Sequence, residues 1–386
     1  MQIYLYELKK LVSSVTFWAF IAACLLFNLV LIINSDDDYG DFVNTVSENT
    51  GYILDKSFYE SLSQITTSDE QYSYYLEQLK QETYGATDIF DGYDTKYIGE
   101  KYINAAGLTG YFAKAMRNKY LALQKVVNKK AEKDESLTLY FAGATYFRHQ
   151  FLFHTLMGWL FTEGALLAAL LVLLSTGYEN IYQTENIVYS TKKGRWVLKT
   201  KLAASVSAGL GAYVLLALLT FFVYFGINKY DNIWNSSISS LFNYRKDLIA
   251  GIRPFVTWHS FSVLSYFFAM LALGAGLILC FCQMAYGIGL IVRNSYMAFL
   301  VFLLANAISI AIPVQIPQSS QLGYAIKYLF VLSPVGLWLK HGLWFTDGDI
   351  EVIWPCFETL GLCVSFVALT VFCLFTVIFF RKRDLT

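Results

Sequence analysis

Carboxylates and cations crowd into one short polar stretch between two apolar runs, Tyr178-Glu-Asn-Ile-Tyr-Gln-Thr-Glu-Asn-Ile-Val-Tyr-Ser-Thr-Lys-Lys-Gly-Arg-Trp-Val-Leu-Lys-Thr-Lys201. Glu179 and Glu185 come first; Lys192, Lys193, Arg195, Lys199 and Lys201 follow. These residue types offer ion pairs to a partner surface and attraction to anionic headgroups. Glu163 is the second candidate, the one carboxylate that falls within an apolar run. In a continuous helix it sits roughly 18 Å from the end of that run, at about 1.5 Å per residue. Ionisable groups at such depth are costly, and they face a bundle interior or a wet cavity. The competing reading starts the run later and leaves Glu163 in an interfacial layer, bonded to Thr162 or a neighbouring helix. His149 and His154, five residues apart near Glu163, lack a diagnostic ligand spacing and read as ordinary interfacial histidines.

Signatures of catalysis are missing from the sequence. There is no Gly-x-x-x-x-Gly-Lys-Ser/Thr run to cradle phosphates, no His-Glu-x-x-His and no Gly-x-Ser-x-Gly, so the chain itself is not an ATPase and carries no recognisable hydrolase motif. The six cysteines, Cys24, Cys280, Cys282, Cys356, Cys363 and Cys373, lie in or beside apolar runs and read as small buried hydrophobes rather than a disulfide framework. A net charge of zero gives no support to nucleic-acid binding.

The elements that must position these groups are membrane helices. The chain of 386 residues is 56% hydrophobic and only 15% charged, against roughly 25% charged residues in soluble domains. Crossing a bilayer takes about 20 apolar residues. Six stretches qualify, at about Val15–Ile33, Met157–Ser175, Leu202–Phe225, Phe261–Ile291, Tyr296–Ile312 and Leu360–Phe380. Gly274, Gly276, Gly287 and Gly289 in the fourth permit close helix packing.

Short loops rich in Lys and Arg stay inside the cell. Lys9, Lys10, the five cations of the 178–201 loop, Arg293 and Arg381 to Arg383 make eleven on one side, against six on the other: Lys229, Arg245, Lys246, Arg253, Lys327 and Lys340. Both termini are therefore expected in the cytoplasm. Met1 to Ser14 places Ile3, Tyr4, Leu8 and Leu11 on one face and Glu7, Lys9 and Lys10 around the other, the pattern of a helix lying in the membrane plane.

The expected organisation is all-α and polytopic: residues 1–34 as in-plane helix and first span, 35–150 as a helical external domain, and 151–386 as five further spans. The external segment holds 18 acids against 12 bases, and 14 of the 28 tyrosines. Ser68-Asp-Glu-Gln reads as a capping box opening a helix that Gly85 stops. Leu54, Phe58, Leu62 and Ile65 form one further apolar stripe; Phe112, Met116, Tyr120, Leu123 and Val127 form another. The tyrosines either fill the core of this domain or line a recognition surface. Segments 229–259 and 313–359 hold apolar pieces too short to span and are expected as re-entrant or interfacial helices.

In order along the chain, four features resemble the permease subunits of type-2 ATP-binding-cassette (ABC) exporters. They are Glu7-Leu-Lys-Lys-Leu11 with Phe17-Trp18; Glu185 before Ser190-Thr-Lys-Lys-Gly-Arg195; Leu332-Ser-Pro-Val335 between the last two spans; and the tail Phe380-Arg-Lys-Arg-Asp384. The insertion after the first span resembles the subset with a large external domain. The resemblance implies a bacterial plasma-membrane half-transporter, paired with a second permease subunit and with cytoplasmic ABC ATPase subunits. ATP and Mg would sit on the ATPases and no cofactor on this chain. Glu179, Thr184, Glu185, Tyr189, Lys192, Lys193 and Arg195 would form the ATPase-coupling surface, with an amphipathic or hydrophobic substrate (a peptide, antibiotic or lipid-like molecule) moved outward. The alternative is a membrane receptor or immunity protein that binds a peptide through its external domain without transporting it.

Overall fold

The computed structural model describes residues 2–35, 37–184, 187–188, 197–292, 294–315 and 321–382, and the chain is mostly helical, at 73%. Helix α1 (Gln2–Val12) is separated from α2 (Val15–Ile33) at Ser14, whose Oγ caps α2 by accepting from the Phe17 amide at 3.2 Å. Helix α1 turns Glu7 and Leu11 inward and leaves Ile3 exposed, so its buried face is not the purely apolar one expected. Glu7 is neutralised by Lys10 at 2.6 Å. Helix α2 buries a single stripe of Phe17, Ile21, Cys24, Asn28 and Ile32.

Five polar helices follow: α3 (Asp38–Thr50), α4 (Lys56–Gln64), α5 (Glu70–Thr83), α6 (Thr95–Ala106) and α7 (Gly110–Ala131). Aspartates start three of them, because a short carboxylate reaches back to free first-turn amides. Asp55 accepts from Phe58 N, Asp69 from Tyr72 N, and Asp94 from Lys96 N and Tyr97 N. The α5 cap is therefore Asp69, one residue after the expected Ser68. The predicted stripes are buried at Phe58 and Leu62 and at Met116, Tyr120, Leu123 and Val127.

Helix α8 (Thr145–Ile181) is 37 residues long and contains a π-helical turn at Gln150–Leu156. It begins well before the expected Met157. Helix α9 (Val197–Ile227) leads into a hairpin of β1 (Tyr244–Asp247) and β2 (Gly251–Pro254), paired antiparallel with Arg245 opposite Arg253. That hairpin is the departure from an all-helical fold. Then come α10 (Val263–Val292), α11 (Ser295–Gln315), α12 (Gln321–Val331), α13 (Pro334–Leu339) and α14 (Phe357–Lys382). Ser333 caps α13 and Pro334 fills its first turn, which breaks the 325–338 stretch into two short helices.

Six of the described helices, α2, α8, α9, α10, α11 and α14, are long and apolar enough to cross a membrane. Their arrangement centres on α8, whose apolar stretch is 72% buried against 11% for α11. Glycines of α10 let three neighbours, α8, α9 and α14, approach closely. A Cβ on Gly274 would meet Tyr213 Oη of α9 at 2.7 Å, and one on Gly276 would meet Leu362 of α14 at 2.6 Å. Gly287 is filled by Phe372 of α14 and Gly289 by Thr176 of α8.

Helices α3 to α7 form a head at the end of the bundle away from α1. The head shares its cores with the 229–259 and 313–359 segments. Val256, Trp258, Tyr328 and Ile353 are buried in one cluster with Tyr102, Met116, Tyr120 and Val127. Leu241 and Phe242 pack on a second cluster built from Phe42, Val43, Phe58 and Leu79. The two segments thus pack into the head: the second cluster draws all its buried residues from 35–150, while the first is completed by the two later segments.

Candidate functional sites

At the end of the bundle opposite the head, the stretch between α8 and α9 begins and ends in buried contacts. Glu179 is 6% exposed and Lys201 is fully buried. Lys201 donates to Glu179 and to the Ser175 carbonyl at 3.0 Å, tying the last turn of α8 to the first turns of α9. Glu179, expected on a docking surface, pairs with Lys201, as a buried ammonium requires. Lys10 of α1 lies 3.6 Å from the ring centroid of Tyr178, and Tyr4 Oη donates to Ser207 Oγ at 2.8 Å, so α1 braces the same corner. Thr184 accepts helix-like bonds from the Ile187 and Val188 amides and donates its own amide to the Glu179 carbonyl. Glu185, Tyr189, Lys192, Lys193 and Arg195 lie outside the described residues.

Midway along α8, Glu163 is 6% exposed and enclosed by two other helices. Asn28 of α2 donates its amide nitrogen to Glu163 Oε2 at 2.9 Å and to Thr220 Oγ1 of α9 at 3.1 Å. Asn28 Oδ1 is buried without a donor. The early start of α8 places Glu163 well inside a continuous helix. Asn28 escaped the sequence reading, although it is the sole amide side chain within Val15–Ile33.

A third group lies in the head and joins residues distant in sequence. Asp347, 1% exposed, accepts from Arg253 Nη1 at 2.8 Å, and also from Arg245 Nη2 and from the Tyr120 hydroxyl. Asp349 pairs with the same two arginines. Asp247 receives the Tyr102 hydroxyl at 2.6 Å. Lys119, 1% exposed, donates to the carbonyls of Asp347, Asp349 and Val352 at 3.0, 2.8 and 2.6 Å. Burial pushes the Lys119 ammonium down to about 7 against the opposing pull of Asp347 and Asp349. Burial also works against ionising Asp347, but Arg245, Arg253 and Lys119 outweigh it and hold its carboxyl well below the usual range. Tyr-Arg-Lys-Asp then Gly-Ile-Arg-Pro, a hairpin pattern with an arginine in each strand, was the one signal in the sequence for this cluster.

The histidines go to separate partners. His149 packs on Phe255 at 4.6 Å between ring centroids, while His154 faces His341 at 5.1 Å. Among the described residues no group of three or more His, Cys, Asp or Glu is arranged to hold a metal.

No protein-family model, curated protein or solved structure matches this chain.

Proposed function

We propose that the chain is the membrane permease subunit of an ATP-driven ABC exporter, working with separate cytoplasmic ATPase subunits and a second permease subunit to move an amphipathic or hydrophobic substrate outward. The observation that carries this reading is the anchored foot of α8 and α9. Lys201 bonds both Glu179 and the Ser175 carbonyl, and Lys10 covers Tyr178. A polar connection fastened so firmly at both ends passes a push directly to two membrane helices, which is what a subunit without its own phosphate-binding loop requires of a partner motor. The basic stretch from Lys192 to Lys201 supports a cytoplasmic foot by the distribution of positive charge. On this reading α1 lies in the membrane plane, the head is external, and both termini are in the cytoplasm of a bacterial cell.

The test is purification with and without candidate ATPases, followed by ATP turnover in nanodiscs. The expected result is co-purification of an ATPase whose substrate-stimulated turnover is lost in the Glu185→Ala, Arg195→Ala double variant. No co-purifying ATPase, or unchanged coupled turnover in that variant, removes the mechanism.

A further inference from the structure

His341 opens the short helical turn His341–Leu343 after α13, is 7% exposed, and is bonded at both ring nitrogens. Nδ1 lies 2.7 Å from the Trp338 carbonyl of α13, and Nε2 lies 2.8 Å from the His154 carbonyl of α8. A carbonyl oxygen accepts and never donates, while a neutral imidazole carries a single N–H. Two such contacts therefore describe the imidazolium. In either neutral tautomer one nitrogen lone pair faces a carbonyl oxygen at hydrogen-bond distance, and that contact is repulsive.

The two carbonyls belong to separate elements. His154 lies in the π-helical turn Gln150–Leu156, where α8 leaves the α register and where helices kink. Two glycines bring the segments together: an added Cβ on Gly158 of α8 would meet His341 Nε2 at 2.6 Å, and one on Gly342 would run into the His154 ring. Phe161 and Trp344 lie 5.8 and 6.4 Å from the His341 ring between centroids, so a ring that loses one carbonyl is still held among aromatics.

Few titratable groups face this ring. From α8 comes His154, at 5.1 Å between ring centroids; two charged rings that close repel, so a single proton goes to His341, which has the two carbonyls. Glu163 of the same helix is bonded to Asn28 of α2. Lys340, the neighbour in the chain, is paired with Glu351, and α13 brings no titratable side chain. Burial pushes the His341 imidazolium down from the ordinary 6.5, against the upward pull of the His154 and Trp338 carbonyls. With the π turn drawn away, burial and one carbonyl remain, so the tied state holds the proton more tightly than the parted one. Tying therefore strengthens as pH falls and is lost as it rises.

We propose that His341 is a proton-operated latch at the head end of α8: as an imidazolium it ties the π turn to the end of α13, and as a neutral imidazole it keeps one of the two bonds and lets the turn part from it. The latch stands whether or not an ATPase drives the chain.

The experiment uses the full chain in phosphatidylcholine nanodiscs without any ATPase, carrying nitrogen-15 histidine and carbonyl-carbon-13 tryptophan, in a His259→Gln background that removes the histidine following Trp258. His341 is then the ring with a nitrogen beside a labelled carbonyl, and solid-state NMR counts its N–H groups from pH 8 to pH 5. The expected count is one at pH 8 and two at pH 5. Over the same range, hydrogen exchange resolved by peptide and corrected for its intrinsic pH dependence should show residues 150–158 gaining protection by at least about tenfold, the worth of one hydrogen bond from a charged donor. Amides of α10 should stay constant, and the gain should vanish in His341→Gln. Should that variant fail to fold, the N–H count and the exchange of the parent decide the matter by themselves. The same N–H count at both ends of the range, protection of 150–158 that does not rise as pH falls, or an equal rise in a folded His341→Gln overturns the proposal.

Discussion

Asp347→Asn tests whether the head is held together by its buried charges. The cluster contains three cations, Lys119, Arg245 and Arg253, and three carboxylates, Asp247, Asp347 and Asp349, so with Lys119 protonated it is neutral. Asn keeps the shape and removes one charge. It leaves Arg245 and Arg253, each 5% exposed, facing one fewer carboxylate. Removing one partner of a buried ion pair costs about 3–5 kcal/mol. Asp349 still contacts both guanidinium groups but is 22% exposed and partly screened, which places the cost at the lower end, about 3 kcal/mol. At about 1.4 kcal/mol per tenfold, local opening of the head becomes roughly 150-fold more frequent. Hydrogen exchange resolved by peptide reads this directly: amides of α6 and α7 should lose protection by about that factor, while those of α10 keep theirs. Adding Arg245→Met should recover part of the loss, because the cation left in excess is then gone. Exchange in α6 and α7 that changes by less than about threefold, or single-variant penalties that simply add in the double variant, would refute the reasoning.

Two further outcomes follow from the same geometry. Lys119 titrates at about 7 in the folded head against an ordinary value of 10.5; between those values the unfolded chain holds more protons, so stability should rise with pH across this window, its penalty being fully present below about 7. Thermal melting from pH 6.5 to 9.5 checks it, with Lys119→Met flattening the slope, and a flat parent curve counts against it. For topology, Tyr74 in the head and Tyr182 at the foot are 68% and 60% exposed. In intact cells a membrane-impermeant maleimide should label Tyr74→Cys, and should label Tyr182→Cys only after permeabilisation; the reverse pattern inverts the orientation.

The spans were legible because twenty consecutive apolar residues, in a chain this poor in charge, have little place to go but a bilayer. The start of α8 was not, since Arg148 and His149 look like a boundary. They lie inside the helix because Arg148, 3% exposed, finds Asp37 and Asp41 at 3.3 and 2.7 Å across the junction with the head. The same limit hid the head cluster. Tyr120 and Asp347 are 227 residues apart, and Asn28 and Glu163 are 135 apart; no local period reports such pairs. The head's apolar stripes were readable one helix at a time, but what they pack against was not. Trp258 and Tyr328, the residues that close one of those cores, sit in the connections after the third and fifth spans. Deleting residues 40 to 145 to ask whether the head alone binds a peptide would therefore strip the cover from both connections. A point variant on the head's exposed face, such as Tyr84, which is 89% exposed, is the cleaner probe of that alternative.

Helix α8 connects three polar features of the bundle. Gly158 near its head end lies against the His341 ring, where an added Cβ would meet Nε2 at 2.6 Å. Glu163 meets Asn28 of α2 in the middle, and Ser175 and Glu179 hold Lys201 at the foot. Gly158 to Glu179 spans about 32 Å at 1.5 Å per residue. A regular helix of that length, enclosed on most sides, is stiff along its axis, so a displacement at Glu179 is carried to Glu163 rather than lost in bending. The π-helical turn at Gln150–Leu156 is where the hydrogen-bond register departs from the α form, and such a turn is the natural place for the strain of that movement to collect. Helix α2 joins this line through Asn28 and is held besides by its own buried stripe and by α1. If a partner motor pushes the foot, as proposed, the contact between α8 and α2 that such a push reaches is Asn28 against Glu163.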